Sequence, residues 1–161
     1  MIAFLVMAAG CHGTSRPSQT TWMSRVASIE ATLNALHESA ATADEEVYFS
    51  LYAPEAVFLG TDATERWTLA EFQAFAEPHF QGESAWVYTV MERHIDVSSN
   101  GDFAWFDERL FNERLGETRG SGALRRDGDQ WRIVQYNLTI PIPNDLADDV
   151  ASMIRAYEAD R

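Results

Sequence analysis

The chain has 161 residues, of which 46% are apolar and 23% charged, which suits one globular domain and excludes a disordered chain. A net charge of −13 argues against a nucleic-acid binder, which needs a basic face. All twelve cations are Arg, so a Schiff-base or Walker A Lys is excluded, and the single Cys excludes an internal disulfide.

Met1 to Gly10 are apolar or small, too short a run to span a bilayer and of the right length for a signal-peptide core. The segment Ala8-Ala9-Gly10-Cys11 resembles a bacterial lipobox, which implies lipidation of Cys11. A polar tether would then cover residues 11–20 and a single domain residues 21–161. This reading places the domain in a bacterial cell envelope, on the periplasmic or extracellular side, with a lipid anchor as its only membrane contact.

Trp22, Val26, Ile29, Leu33 and Leu36 follow 4-3-4-3 spacing and predict a helix of about 18 residues. Thr42 and Glu45 read as a capping box opening a second helix, which Pro54 stops. Ala56 to Leu59 predicts a short strand, and Thr68 with Glu71 a second capping box and helix, closed by Pro78. The period then changes to that of strands, with runs at about 86–98, 103–114, 117–126 and 130–140. Asn100-Gly101 and Asp127-Gly128 are hairpin turn signals between them, and Leu115-Gly116 is read as the middle turn. Leu146, Val150, Met153, Ile154 and Tyr157 mark a terminal amphipathic helix. The fold class is α+β, a cone in which a curved, mainly antiparallel sheet wraps around N-terminal helices.

Phe58-Leu-Gly-Thr-Asp62, Glu65-Arg-Trp67, Gly101-Asp-Phe-Ala-Trp105, Gly120-Ser-Gly122 and Asp129-Gln-Trp131-Arg-Ile-Val134 resemble a SnoaL-like domain. That family belongs to the nuclear transport factor two (NTF2) and ketosteroid isomerase superfamily. The resemblance spans about residues 22–143. It implies a cone with a cavity and a homodimer through the outer sheet face. It leaves the activity open, since relatives include isomerases, cyclases, dehydratases and pure binding domains.

Treating each hairpin as a two-residue turn sorts the strand residues onto two faces. The cavity face receives Arg93 opposite Glu108, with Phe106, Asn112, Arg119 and Tyr136. A carboxylate among aliphatic neighbours can act as a general base, with Tyr136 donating to a developing oxyanion. The alternative to that catalytic set of Glu108, Tyr136 and Arg93 is that Arg93 and Glu108 form an ion pair that only ties two strands together. Asp62 is either a loop cap or a carboxylate at the cavity mouth. Trp67, Tyr48, Tyr52, Phe75 and Phe80 are core residues or cavity lining, and lining would favour an apolar or aromatic ligand. The outer face receives His94 opposite Asp107, with Trp105 and Trp131, and suits a contact with a second subunit. The four His show no metal-ligand spacing, so no metal and no cofactor is expected. Three functions remain open: a small-molecule-binding domain, a cofactor-independent isomerase, cyclase or dehydratase, and an envelope assembly lipoprotein.

Overall fold

The computed structural model describes residues 19–160. The signal peptide, Cys11 and most of the tether expected from the sequence lie outside them. The first helix, α1 (Gln19–Ala41), buries the stripe Ile29, Leu33, Leu36 and Ala40, while Trp22 at the start of the expected stripe is exposed. The chain reverses through Ala43, which has a φ of 54°, into α2 (Glu45–Ser50). The cap of α2 is Asp44, whose carboxylate accepts from the Val47 N–H at 3.0 Å. Thr42, expected in that role, instead follows the last residue of α1, and its hydroxyl donates back to the Glu38 carbonyl at 2.9 Å.

Strand β1 (Tyr52–Leu59) begins earlier than expected and contains Pro54. Pro54 falls where the β1 ladder with β6 is interrupted, between Tyr52 and Val57, so its missing N–H leaves no ladder bond unmade. A three-residue strand, β2 (Arg66–Thr68), is too short to show a period, and the sequence reading missed it. It hands over directly to α3 (Leu69–Ala76). The α3 capping box is present as expected: the Thr68 N–H donates to Glu71 at 2.8 Å, and the Glu71 N–H returns to the Thr68 hydroxyl. A 3-10 turn (Glu77–Gln81) carries Pro78.

Four strands follow: β3 (Thr89–Val97), β4 (Phe103–Asn112), β5 (Gly116–Asp127) and β6 (Gln130–Thr139). They complete a six-stranded sheet ordered β2-β1-β6-β5-β4-β3, antiparallel throughout except between β1 and β6. The helices α1 and α3 pack against it. The α+β architecture is therefore the expected one. A last helix, α4 (Ala147–Ala159), follows a 3-10 turn (Asn144–Leu146).

The register differs from the expected one in four places, two of which carry expected site residues to the other face. The β3–β4 hairpin agrees from Glu92 to Val97, with Arg93 opposite Glu108 and His94 opposite Asp107, and one extra residue at Met91 shifts the pairing beyond it. The β5–β6 turn is Gly128-Asp129, with Asp127 opposite Gln130, a shift of two that keeps the faces. The β4–β5 loop, however, has three residues, 113–115, and pairs Asn112 with Gly116. The Asn112 side-chain Oδ1 accepts from the N–H groups of Arg114 and Leu115, and Gly116 takes the positive φ that closes the loop. The pairing slips by an odd number, so β5 is turned over. Thr118 and Gly120 go inward, and Arg119 goes outward opposite Arg109, not into the cavity. In β6 an extra residue lies between Ile133, opposite Leu124, and Gln135, opposite Ala123. Before this bulge Trp131 and Ile133 point inward; after it Tyr136 does. Trp131 is thus 4% exposed and part of the core, not of the outer face.

Candidate functional site

The concave side of the sheet and the helices enclose a cavity of about 460 Å³. Its wall is aromatic. Phe58 stacks on Phe72 with centroids 3.8 Å apart and planes 13° apart, and Trp67 and Tyr136 lie nearly parallel to Phe58 on either side. Trp86 meets Tyr48 and Phe80 edge to face. β1 and β2 supply the stacked wall because Phe58 and Trp67 are register partners. The exposed lining residues Thr61, Phe75, His79 and Arg114 mark the mouth.

Behind the inner wall lies a chain of charged groups. Glu108 is 0% exposed. Its Oε1 accepts from the Arg93 Nε–H at 3.0 Å, and its Oε2 lies 2.6 Å from His37 Nε2. Arg93 also donates from Nη1 to the Asn34 side-chain oxygen at 2.6 Å. His37 lines the cavity, whereas Glu108 and Arg93 do not. An ionised carboxylate is an acceptor only, so this contact favours the ring tautomer with the hydrogen on Nε2. The order from the cavity outward is imidazole, carboxylate, guanidinium, amide. Such an arrangement fixes one tautomer and stabilises the imidazolium that would form on proton uptake.

Tyr136 also lines the cavity. Burial first, and then the negative charge of Glu108, push its phenol well above the ordinary tyrosine value. It stays neutral and can donate a hydrogen bond. Gly120, the register partner of Glu108, makes room for it, because a β-carbon there would collide with the Tyr136 hydroxyl. Tyr48 and Tyr52 share a hydroxyl contact of 3.2 Å, and burial raises both phenols as well.

The structure distributes the residues singled out in the sequence as follows. Trp67, Asn112 and Tyr136 line the cavity, as do Tyr48 and Phe75. Asn112 has its amide committed: Nδ2 donates to the Val87 carbonyl at 2.9 Å while Oδ1 caps the β4–β5 loop. Tyr52 and Phe106 are buried in the core rather than in the lining. Asp62 is exposed in the loop after β1, where its carboxylate accepts from the Thr64 N–H and hydroxyl at 2.8 and 2.6 Å, an Asx turn. His94, Trp105 and Asp107 lie on the outer face, all exposed, and the His94 ring pairs with Glu92 at 3.3 Å. His37, Trp86 and Tyr88 were not assigned to the cavity from sequence. His37 does carry a signal: it follows Leu33 by four and Leu36 by one, beside the buried stripe of α1. Among the described residues no group of three or more His, Cys, Asp or Glu could hold a metal ion.

A family model for the SnoaL-like domain matches residues 29–143. The chain belongs to the SnoaL-like domain family. Solved structures share the fold of this SnoaL-like domain. An NTF2-like protein of unknown function from Pseudomonas putida KT2440 aligns with a TM-score of 0.63 at 15% identity, over 76% of this chain and 90% of that one. A protein from Streptomyces avermitilis, described as a candidate dehydratase of the NTF2-like family, aligns with a TM-score of 0.64 at 14% identity, over 75% and 99%. A candidate scytalone dehydratase from Novosphingobium aromaticivorans aligns with a TM-score of 0.64 at 12% identity, over 78% and 89%. At these identities the likeness concerns the fold. No curated protein matches the SnoaL-like chain.

Proposed function

We propose that this SnoaL-like domain holds a small, flat, largely apolar organic molecule in its cone. The observation that carries the reading is the cavity of about 460 Å³ walled by parallel aromatic rings. That volume lies in the range of ordinary ligand pockets, and an aromatic wall favours a flat apolar molecule lying against it. Native mass spectrometry of protein purified from its own source is the test. Added small-molecule mass supports the reading. A chain without it, whose Trp67 and Trp86 fluorescence also stays unchanged by millimolar naphthols, refutes it.

A second reading, proton-transfer catalysis, rests on its own observation, the His37–Glu108–Arg93 chain at the inner wall. His37 would take a proton from the bound molecule through Nδ1, Glu108 would hold the resulting imidazolium, and Tyr136 would donate to the oxygen that gains charge. The chemistry matches an isomerisation or a dehydration, and two structural neighbours are described as candidate dehydratases. Once a turned-over compound is found, His37→Gln should lower kcat at least 100-fold with KM little changed. Equal kcat in His37→Gln and the parent would end this reading.

The envelope location stays a proposal from residues 1–11. Mass spectrometry of the native N-terminus checks it: a diacylglyceryl-modified Cys11 supports the anchor, and an intact Met1 opposes it.

A further inference from the structure

The lining of the cavity changes character from its inner end to its mouth. The inner end offers rings and neutral groups, with Tyr48 and Tyr136 both buried. A permanent positive charge enters the lining at one place among the described residues, Arg114 of the β4–β5 loop, at the mouth. Its guanidinium has no hydrogen-bond or ion-pair partner among the described residues. Acidic partners are abundant in a chain with 25 Asp and Glu against 12 Arg. Arg93 takes Glu108, Arg125 takes Glu55 and Arg126 approaches Asp129, while the cation of the lining takes none.

The backbone holds Arg114 at that rim. Asn112 Oδ1 accepts from the Arg114 N–H at 3.1 Å and from the Leu115 N–H at 3.0 Å, and Asn112 Nδ2 donates to the Val87 carbonyl at 2.9 Å. One side-chain amide therefore ties the Arg114 loop to the segment of Trp86 and Tyr88, and all of these residues except Val87 line the cavity. Tyr88 is half-buried, and the nearby Arg114 charge acts against the upward push of burial on its phenol. The rim thus combines a fixed cation with a hydroxyl donor, which is what the oxygens of an anion need. The carboxylate of the lining, Glu65, belongs to the loop between β1 and β2, where its Oε2 accepts from the Asp62 N–H at 3.1 Å.

We propose that the molecule held in the cone is an aryl carboxylate, whose flat ring system lies against Phe58 and Trp67 and whose carboxylate sits at the mouth on the Arg114 guanidinium, near Tyr88. This rests on the reading of the cone as a ligand cavity and adds a charge and an orientation to it. A guanidinium meets a carboxylate through two parallel N–H···O bonds, and a carboxylate conjugated to a ring keeps the ligand flat. The apolar end goes inward, toward His37 and Tyr136, because an ionised group there would leave water with no Arg in the lining to meet it. The net charge of −13 repels anions at long range, so a preference for one has to come from groups at the site.

Isothermal titration calorimetry of the full chain near neutral pH tests it, with naphthoate and its uncharged isostere naphthamide as the probes. The parent is expected to bind naphthoate roughly tenfold or more tighter than naphthamide. Arg114→Gln should bring the two affinities within about threefold of each other, and Arg114→Lys should keep part of the preference. The Arg114 side chain is exposed, so neither substitution disturbs the core, and near-UV circular dichroism checks that. Equal affinities in the parent would overturn the proposal and leave the cavity reading standing. A preference for naphthoate that Arg114→Gln leaves unchanged would do the same. Binding of neither compound would also overturn it, and if naphthols leave the tryptophan fluorescence unchanged as well, the cavity reading falls with it.

Discussion

Replacing Glu108 by Gln keeps the shape of the side chain and removes its charge. Arg93 would then hold a guanidinium against a neutral amide, with its side chain almost wholly out of water and Nη2 already without a partner. Breaking a buried pair from one side costs about 3–5 kcal/mol. The His37 contact is also weakened, since a neutral amide is a poorer acceptor than a carboxylate. A domain of this size loses about 2–4 °C of Tm per kcal/mol, so Glu108→Gln should melt roughly 6–20 °C below the parent. Urea unfolding followed by tryptophan fluorescence measures the free energy directly. The double variant Glu108→Leu/Arg93→Met removes both charges and should recover most of the loss, because well-packed apolar replacements of buried pairs are often neutral or better. A cost below about 1 kcal/mol for Glu108→Gln would mean that water reaches the pair, and the buried relay behind His37 would have to be abandoned.

Gly120→Ala places a β-carbon against the Tyr136 hydroxyl and should cost about 1–3 kcal/mol, with Tyr136→Phe in the same chain recovering part of it; denaturant titration of the two variants decides. The raised phenols of Tyr48, Tyr52 and Tyr136 favour the folded protein while they stay protonated. The unfolded chain releases those protons near the ordinary value of about 10, so stability should fall as pH rises through that value, and 295 nm absorbance should show the three phenols ionising only with unfolding. Glu71 is held below the ordinary glutamate value by the Thr68 N–H and hydroxyl. A lowered carboxylate favours the fold above its unfolded value and loses that contribution as pH falls, and because Thr68→Ala removes the hydroxyl but keeps the N–H donor, carbon-13 NMR should find Glu71 in that variant raised only part of the way to the ordinary value. The same variant should lose about 1 kcal/mol with its N-cap, read by thermal melting.

The fold was legible wherever a short-range rule governs. Thr68 and Glu71 announced α3 because a capping box is local, and the β3–β4 register followed from one turn, which put Arg93 opposite Glu108. Errors accumulated where a single residue decides parity. Nothing in Leu115-Gly116 told a two-residue turn from the three-residue loop that Asn112 caps, and that difference moved Arg119 to the opposite face. The bulge in β6 likewise left no mark, so Trp131 read as an outer residue. The role of His37 comes from α1 meeting β4, a contact between residues 71 positions apart. Sequence spacing carries no information about such a meeting.

The bulge at Val134 divides β6 into two sectors with different obligations. The sector of Trp131 and Ile133 answers to the core, and the sector of Tyr136 and Leu138 answers to the cavity. The flip between them lets both point inward from one strand. Substitution in the second sector would therefore reshape the cavity wall, while substitution in the first acts on the core alone. One extra residue lets a single strand serve both.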